Sequence, residues 1–319
     1  ITDVSDHGAR EITARAIDPS VYQPGRSGVR ETDPSSQPVV GPADLVLLDL
    51  PLLRGDEPPD AGYAAVSQAP WPGRIAIYRS PGDTGFQLAA TAVAPAIIGL
   101  TTTELVAGIE ARPDHAARLG VELRHGQLSS VPRASLLDGA NLAAIRTPSG
   151  MWEVFQFQDA ALMGQRTYEL TTLLRGQGGT DDAITEAVPP GALFVLLDGN
   201  VTRIDLASAH VGLPFNWRFG AARYDIGHWS YDQRTHAFVG RGRRPRSPVH
   251  VRGRRSNGDL IITWIRQTRI GGDSWETADV PLGEAAEAYE IDILANDTVV
   301  RTIAAAAPIA VYSAADQIA

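Results

Sequence analysis

The carboxylates that could serve as an acid and a base fall in two groups. Asp56, Glu57 and Asp60 lie in one proline-rich loop, and Asp181, Asp182 and Glu186 lie in another loop. Glycoside hydrolysis needs two carboxyl groups about 5–10 Å apart across a cleft. Nothing in either group indicates a cleft, so both read as solvated loop charge. A helix–loop–helix calcium site would need acidic residues at alternating positions, a glycine and a closing Glu, and no such run occurs. The seven histidines, His7, His115, His125, His210, His228, His236 and His250, show no metal-ligand spacing such as i, i+4. No Gly-x-Ser-x-Gly elbow offers a serine nucleophile. The absence of cysteine removes disulfides and thiolate metal sites. The chain is therefore read as a non-enzyme with no cofactor and no metal.

Three features remain that bind rather than react. The segment Arg175-Gly-Gln-Gly-Gly-Thr180 has the glycine density of a phosphate cradle. It lacks the Gly-Lys-Ser/Thr ending and opens no clear helix, so it reads as a turn. Arg241, Arg243, Arg244 and Arg246, followed by Arg252, Arg254 and Arg255, are the sharpest charge feature. Guanidinium forks suit phosphate, but a net charge of -9 and a pI near 5.3 argue against a dedicated nucleic-acid binder. Arg241, Arg243, Arg244, Arg246 and Arg175 are instead candidate interface residues, for ion pairs at a domain junction or against an acidic neighbouring subunit. Lysine is absent, so all 28 cationic side chains are arginine and each can form a planar fork. Trp217, Trp229 and Tyr231 sit in an aromatic, arginine-rich stretch without a clean period and are candidate glycan contacts. Trp264 lies within a strand and reads as core. Asn296-Asp-Thr298 fits a glycosylation pattern, but no secretory context accompanies it.

These residues need a frame, and the frame reads as all-β. Gly 31 and Pro 22 are high for 319 residues, as many turns between short strands require. Met151 to Thr180 reads as a central hairpin, with Trp152–Phe157 and Tyr168–Leu174 as its strands and a positive-φ turn at Gly178-Gly179. Gln156 and Arg175 interrupt it. Further strands are expected over 11–17, 44–53, 74–79, 86–98, 116–124, 192–197 and 201–206, the last returning from a turn at Asp198-Gly199. The one helical piece is Arg133 to Asn141. No apolar run approaches the roughly 20 residues of a membrane helix. Residues 1–22 read as the end of a preceding domain, 23–43 as a linker, and 44–240 as one β domain.

A boundary follows at Arg241–Arg246. Beyond it come strands at Val249–Val251, Asp259–Arg266 and Tyr289–Leu294. A turn at Asn296-Asp297, a strand at Val299–Ile303 and one at Pro308–Tyr312 complete the series. That order reads as a fibronectin-type-III-like β-sandwich over 241–319, with five or six of the usual about seven strands. Ile1-Thr-Asp-Val also reads as internal sequence, so both ends are expected to be cut.

The segments 44–54 (Asp-Leu-Val-Leu-Leu-Asp-Leu-Pro-Leu-Leu-Arg), 71–80 (Trp-Pro-Gly-Arg-Ile-Ala-Ile-Tyr-Arg-Ser) and 168–180 resemble the phage tail protein domain. That domain belongs to the large tail-tip ("megatron") proteins of gene transfer agents, which are phage-like particles. Residues 262–275, with Val280-Pro-Leu-Gly-Glu284 and Glu287-Ala-Tyr289, resemble that protein's carboxy-terminal β domain. Ala14-Arg-Ala-Ile-Asp-Pro19 resembles the end of its hub-like domain. The resemblance implies a structural baseplate or tail-hub component forming a homotrimer. Its implied partners are hub and distal tail proteins, the host cell envelope and passing DNA. The particle tail is its implied location, and no catalytic residue is carried over. The chain departs from the pattern at Gln177-Gly178, where relatives often carry a basic residue. A carbohydrate-binding module for cell-surface polysaccharide is the alternative reading.

Overall fold

Short apolar–polar alternations cut by Gly and Pro favour strands, and strands supply nearly all the regular structure in a computed structural model of the chain. The structure describes residues 3–6, 8–13, 41–109, 112–272 and 279–318. His7, the segment 14–22, the linker up to residue 40 and Trp275 lie outside the described residues. The chain divides into two units, residues 1–39 and 40–319. In the first, β1 (Asp3–Asp6) and β2 (Arg10–Thr13) form an antiparallel hairpin.

The second unit begins with β3 (Asp44–Leu48), β4 (Gly62–Ser67), β5 (Ile75–Ser80), β6 (Gln87–Ala92), β7 (Ile98–Thr101) and β8 (Asp114–Leu123). The short helix α1 (Arg133–Leu137) precedes β9 (Leu142–Arg146), β10 (Trp152–Gly164), β11 (Thr167–Leu174) and β12 (Leu193–Leu196). Then come β13 (Thr202–Ile204), β14 (Phe215–Ala221) and β15 (Asp232–His236). The chain ends with β16 (Val249–Ser256), β17 (Asp259–Ile265), β18 (Tyr289–Ala295), β19 (Thr298–Ala305) and β20 (Ile309–Tyr312).

Strands β7 to β12 close a six-stranded barrel in the order β10-β11-β8-β7-β12-β9. Sheets β13-β4-β3 and β15-β14-β5-β6 draw their strands from both sides of the barrel in sequence. Region 44–240 thus holds a barrel inserted into a second β body. The carboxy-terminal part carries a three-stranded sheet, β16-β17-β20, and a two-stranded one, β18-β19.

The hairpin read from sequence is β10 and β11, in register Gln156↔Leu174 and Phe157↔Leu173. It runs further than expected, to Gly164 and Thr167. Parity along β10 sorts its side chains. Phe155 and Phe157 fill the barrel with Leu119, Val121, Leu170 and Phe194. Trp152 and Val154 face outward into a second cluster with Leu48, Tyr63 and Ile98. Gln156 shares the outward parity, and its amide donates to the carbonyls of Leu136 and Ala140, both at 2.7 Å, which pins α1 to the barrel wall. One expectation fails. Residues 202–204 do not return against β12; β13 pairs with β4, because Ile204 joins the core around Trp217.

Glu153 has the inward parity and would be stranded without a cation. Extending the register by one residue sets Arg175 opposite Phe155, diagonal to Glu153. The two side chains are fully buried. The Arg175 guanidinium donates Nε to Glu153 Oε1, Nη2 to Oε2 at 2.7 Å and Nη1 to the Val106 carbonyl at 3.1 Å. A forked, fully hydrogen-bonded pair is the form in which buried charge is tolerated. Arg175 was expected at an interface, at a domain junction or against a neighbouring subunit. Its guanidinium is instead committed inside the barrel and reaches no surface.

Removing one partner of such a pair leaves an uncompensated buried charge, costing about 3–5 kcal/mol. Arg175→Met is expected to lose that much by urea denaturation. Arg175→Met with Glu153→Leu should regain most of the loss. A single variant within about 1 kcal/mol of wild type would contradict this account of the barrel end.

Candidate functional site

Four of the six carboxylates first considered for catalysis, Glu57, Asp60, Asp182 and Glu186, are occupied as structural acceptors. Glu57 accepts the backbone N–H of Arg54 at 3.0 Å and of Gly55 at 2.9 Å, and the Tyr63 hydroxyl at 3.3 Å. Glu186 accepts the Ser149 N–H at 3.1 Å. Asp60 accepts the Arg243 guanidinium and the Ser208 hydroxyl, and these two groups hold its carboxyl below the ordinary value. Among the described residues no three His, Asp or Glu side chains gather as a metal site. A pair that sequence spacing hid is Ser67 Oγ and His125 Nδ1, 3.2 Å apart and contributed by β4 and the turn after β8. Ser67 is buried, and burial together with the nearby Arg166 lowers the His125 pKa. No imidazole–carboxylate hydrogen bond accompanies the pair among the described residues, so it is arranged as a packing contact rather than an activated hydroxyl.

The arginine run forms a junction. Arg241 donates to both Asp182 oxygens and, through Nη2, to the Gly179 carbonyl at 2.8 Å. Arg244 Nη1 reaches the same Asp182 at 2.6 Å. Burial pushes the Asp182 carboxyl up, but the two guanidinium groups outweigh it and keep it below its ordinary value. Behind them the Asp49 carboxylate accepts the N–H groups of Gly240 at 3.0 Å and Arg241 at 2.8 Å, closing the turn that presents the run.

The glycine loop makes this approach possible. Gly176 is left-handed at φ 64, and Gly178 at φ 68 lies so close to Pro51 that an added Cβ would stand 3.0 Å from its Cγ. At Gly179 an added Cβ would stand 3.0 Å from Arg246 Cγ. Thr180 closes the loop onto the barrel, accepting the Val154 N–H at 3.0 Å and donating to the Gln177 carbonyl at 2.9 Å. Arg241, Arg243 and Arg244 therefore serve contacts within the chain. Arg243 and Arg244 remain exposed, Arg241 and Arg246 half-buried.

The aromatic candidates separate. Trp217 has no exposed surface, packs edge-on against Phe238 and donates its indole N–H to the His236 carbonyl at 3.1 Å. Tyr231 is buried, with its hydroxyl toward the carbonyls of Ala221 and Tyr224 at 3.3 Å. Both expectations of a glycan contact there are corrected. Strand β14 alternates after all, and its apolar face had to be covered. Trp229 is different, being 72% exposed. It leans on His228, which stacks on Tyr224 at 4.1 Å, and the Arg223 guanidinium lies over the Tyr224 ring at 4.8 Å. Tyr224 and His228 were not singled out from the sequence. Tyr224 lies four residues before His228 and five before Trp229, and in a loop that spacing carries no signal until the loop folds back.

A groove of about 380 Å³ runs between the barrel and the neighbouring sheet, lined by Asp44, Arg124, Arg146, Trp152, Arg234 and His236 among others. Burial lowers the His236 pKa, with Arg146 adding to the effect and Asp49 opposing it.

Two consequences can be measured. Asp60 and Asp182 are lowered in the folded chain, so their stabilisation is present above the unfolded value of 3.8 and is lost as pH falls through the folded value. Asp182→Asn is expected to cost about 1–2 kcal/mol at neutral pH, and progressively less as pH falls below 3.8 and through the lower folded value, where wild type loses the same pairs. An Asp182→Asn penalty that persists undiminished in acid would refute the pairing. His125 and His236 are also lowered, so the unfolded chain protonates first, near 6.5. Stability should be full above that pH and decline as pH drops below it. His125→Gln with His236→Gln should flatten the decline in a denaturation series; an unchanged slope would exclude these groups.

Residues 96–195 match a family model described as Rcc01698-like, C-terminal. The match covers less than half of the chain, and it coincides with the barrel, whose first strand opens at Ile98 and whose last closes at Leu196. A search of curated proteins finds no match. Over its barrel, this chain is similar to that family.

Proposed function

We propose that this chain is a structural part of the tail tip of a phage-like particle of the gene-transfer-agent kind, holding neighbouring tail components in register. The observation that carries the reading is the convergence of motif stretches that resemble the phage tail protein domain. Segment 168–180 supplies β11 and the glycine loop, segment 44–54 supplies β3 and Pro51, and Gly178 packs against Pro51 where they meet. The barrel that owns the loop is also the part with a family match. The chemistry is consistent with scaffolding, since Glu57, Asp60, Asp182, Glu186, Arg175, Arg241, Arg243 and Arg244 tie separate segments of the chain together. In this reading the protein forms a homotrimer that contacts hub and distal tail proteins. It meets the host envelope and lines the path of passing DNA.

A second reading, contact with cell-surface polysaccharide, is favoured by one observation. The Arg223–Tyr224–His228–Trp229 stack holds a flat indole outward. An immobilised aromatic face loses little entropy when it meets the C–H face of a sugar.

Electron microscopy of intact particles tests the first reading, with threefold density of this fold expected at the tail tip. A full-length protein that is absent from purified particles, and monomeric by mass photometry, would end it. A glycan array tests the second: Trp229→Ala should reduce binding at least tenfold while Trp229→Phe keeps most of it. Binding that survives Trp229→Ala would remove the platform.

A further inference from the structure

The sheets β13-β4-β3 and β15-β14-β5-β6 enclose one apolar cluster, with Leu45, Val66, Ile77, Ile204 and Trp217 among its members. On one side of it β6 and β13 lie against each other. On the other side stand β3 and β15, each the last strand of its sheet. The groove of about 380 Å³ runs between them, with residues 44–47 on one flank and 234–237 on the other. Neighbouring strands of a sheet lie about 4.8 Å apart and bond through the backbone. Here a side chain spans the gap instead, as Arg234 Nη1 donates to the Leu45 carbonyl at 2.8 Å. The body is a barrel with one open seam.

That bond fixes which groups face the seam. A strand residue turns its N–H and C=O to the same side, so Leu45 and Leu47 face β15, while Asp44, Val46 and Leu48 bond to β4. Among the described residues no backbone partner meets the Leu45 and Leu47 N–H groups or the Leu47 carbonyl. Arg234 lies opposite Trp217 and so has the inward parity, yet it is exposed. The described chain on either flank leads elsewhere. Before β3, the Gly41 carbonyl accepts Gln68 Nε2 beyond β4, and after β15 the N–H groups of Gly240 and Arg241 close on Asp49. Charge in the groove is uneven. Its two carboxylates are spent, Asp44 on Arg124 and Asp49 on backbone N–H groups. Arg146, exposed at the end of β9, and Arg234 have no carboxylate within ion-pair distance among the described residues. In a chain of net charge -9, these two guanidinium groups are left for a carboxylate from outside.

We propose that the seam between β3 and β15 is a binding site for one extended acidic segment of a partner polypeptide. The segment pairs with the free edge of β3, where main-chain hydrogen bonds supply the affinity. Its apolar side chains, at alternate positions, turn inward beside Leu45 and Leu47. Its carboxylates, at the interleaved positions, turn to the barrel wall where Arg146 stands, and the alternation sets register. An incoming N–H takes over the Leu45 carbonyl, and the Arg234 guanidinium it displaces becomes available to a carboxylate. These ion pairs select an acidic segment over a basic one. The inference stands apart from the tail-tip reading, because it rests on the seam alone.

The test uses the 319-residue chain and three fluorescent ten-residue peptides: one alternating glutamate with valine, one with the same composition in two blocks, and one alternating arginine with valine. Binding is read by anisotropy, and amide exchange over 44–48 by NMR. The alternating glutamate peptide should bind at least tenfold more tightly than the other two. It should slow exchange at Leu45 and Leu47, whose amides face the seam. Arg146→Glu, at an exposed position without an ion pair, should weaken that peptide at least tenfold and leave the urea midpoint in place. Equal binding of the block peptide, protection elsewhere than β3, or wild-type binding by the Arg146→Glu chain would overturn the proposal. So would Leu45 and Leu47 amides already slow in the chain alone, because the seam would then be filled from within the protein or by its copies.

Discussion

The forked pair between Arg175 and Glu153 is the constraint on which the rest of the molecule hangs. It sits where the barrel hairpin ends and the glycine loop begins, and both groups are fully buried. Two charges can stay there only if every fork is met. Glu153 meets two of the guanidinium donors and the Val106 carbonyl a third, so the loop after β7, strand β10 and the end of β11 are tied at one point. Arg175 thereby determines where residue 176 must turn. The left-handed Gly176 follows at once, and the loop leaves the barrel in one direction.

From that turn the connection passes outward. Thr180 anchors the loop to Val154, while the Gly179 carbonyl and Asp182 receive Arg241. Asp49 holds the backbone of Gly240 and Arg241, so the barrel, the segment after β3 and the entry to the carboxy-terminal sheets meet within a few hydrogen bonds. The all-arginine composition matters here. One guanidinium of Arg241 satisfies two carboxylate oxygens and a carbonyl in one plane, which an ammonium cannot do. A further fork, Arg269 onto Glu284 at 2.7 and 2.9 Å, repeats the device in the carboxy-terminal part.

Several elements were legible residue by residue. The β10–β11 hairpin declared itself through apolar alternation, and the β18–β19 hairpin through Asn296-Asp297, which take φ 50 and 61 as a two-residue turn requires. Strand β4 was not legible. Its Gly-Tyr-Ala-Ala-Val-Ser is buried along its whole length, so it shows no polar face, and small residues carry weak strand preference. Gly62 is there because the Phe238 ring would lie 2.4 Å from any Cβ, a reason located 176 residues away in the chain. Trp217 misled for a related cause. Its neighbours Asn216 and Arg218 are polar, and the apolar face that buries it comes from β5 and Phe238.

Local pattern was enough for what depends on neighbours along the chain: the all-β class, most strand positions, the turns at Gly178-Gly179 and Asn296-Asp297, and the absence of any thiol chemistry. Barrel closure, the insertion of the barrel between strands of a second β body, and the partners of Arg175, Asp182 and Trp217 depend on residues far apart in sequence. Pairing of that kind is settled by which surfaces exclude water together and which charges find a fork when they do. A single strand carries one side of such a bargain, so its spacing could announce that Arg175 needed an acid without saying that Glu153 would supply it.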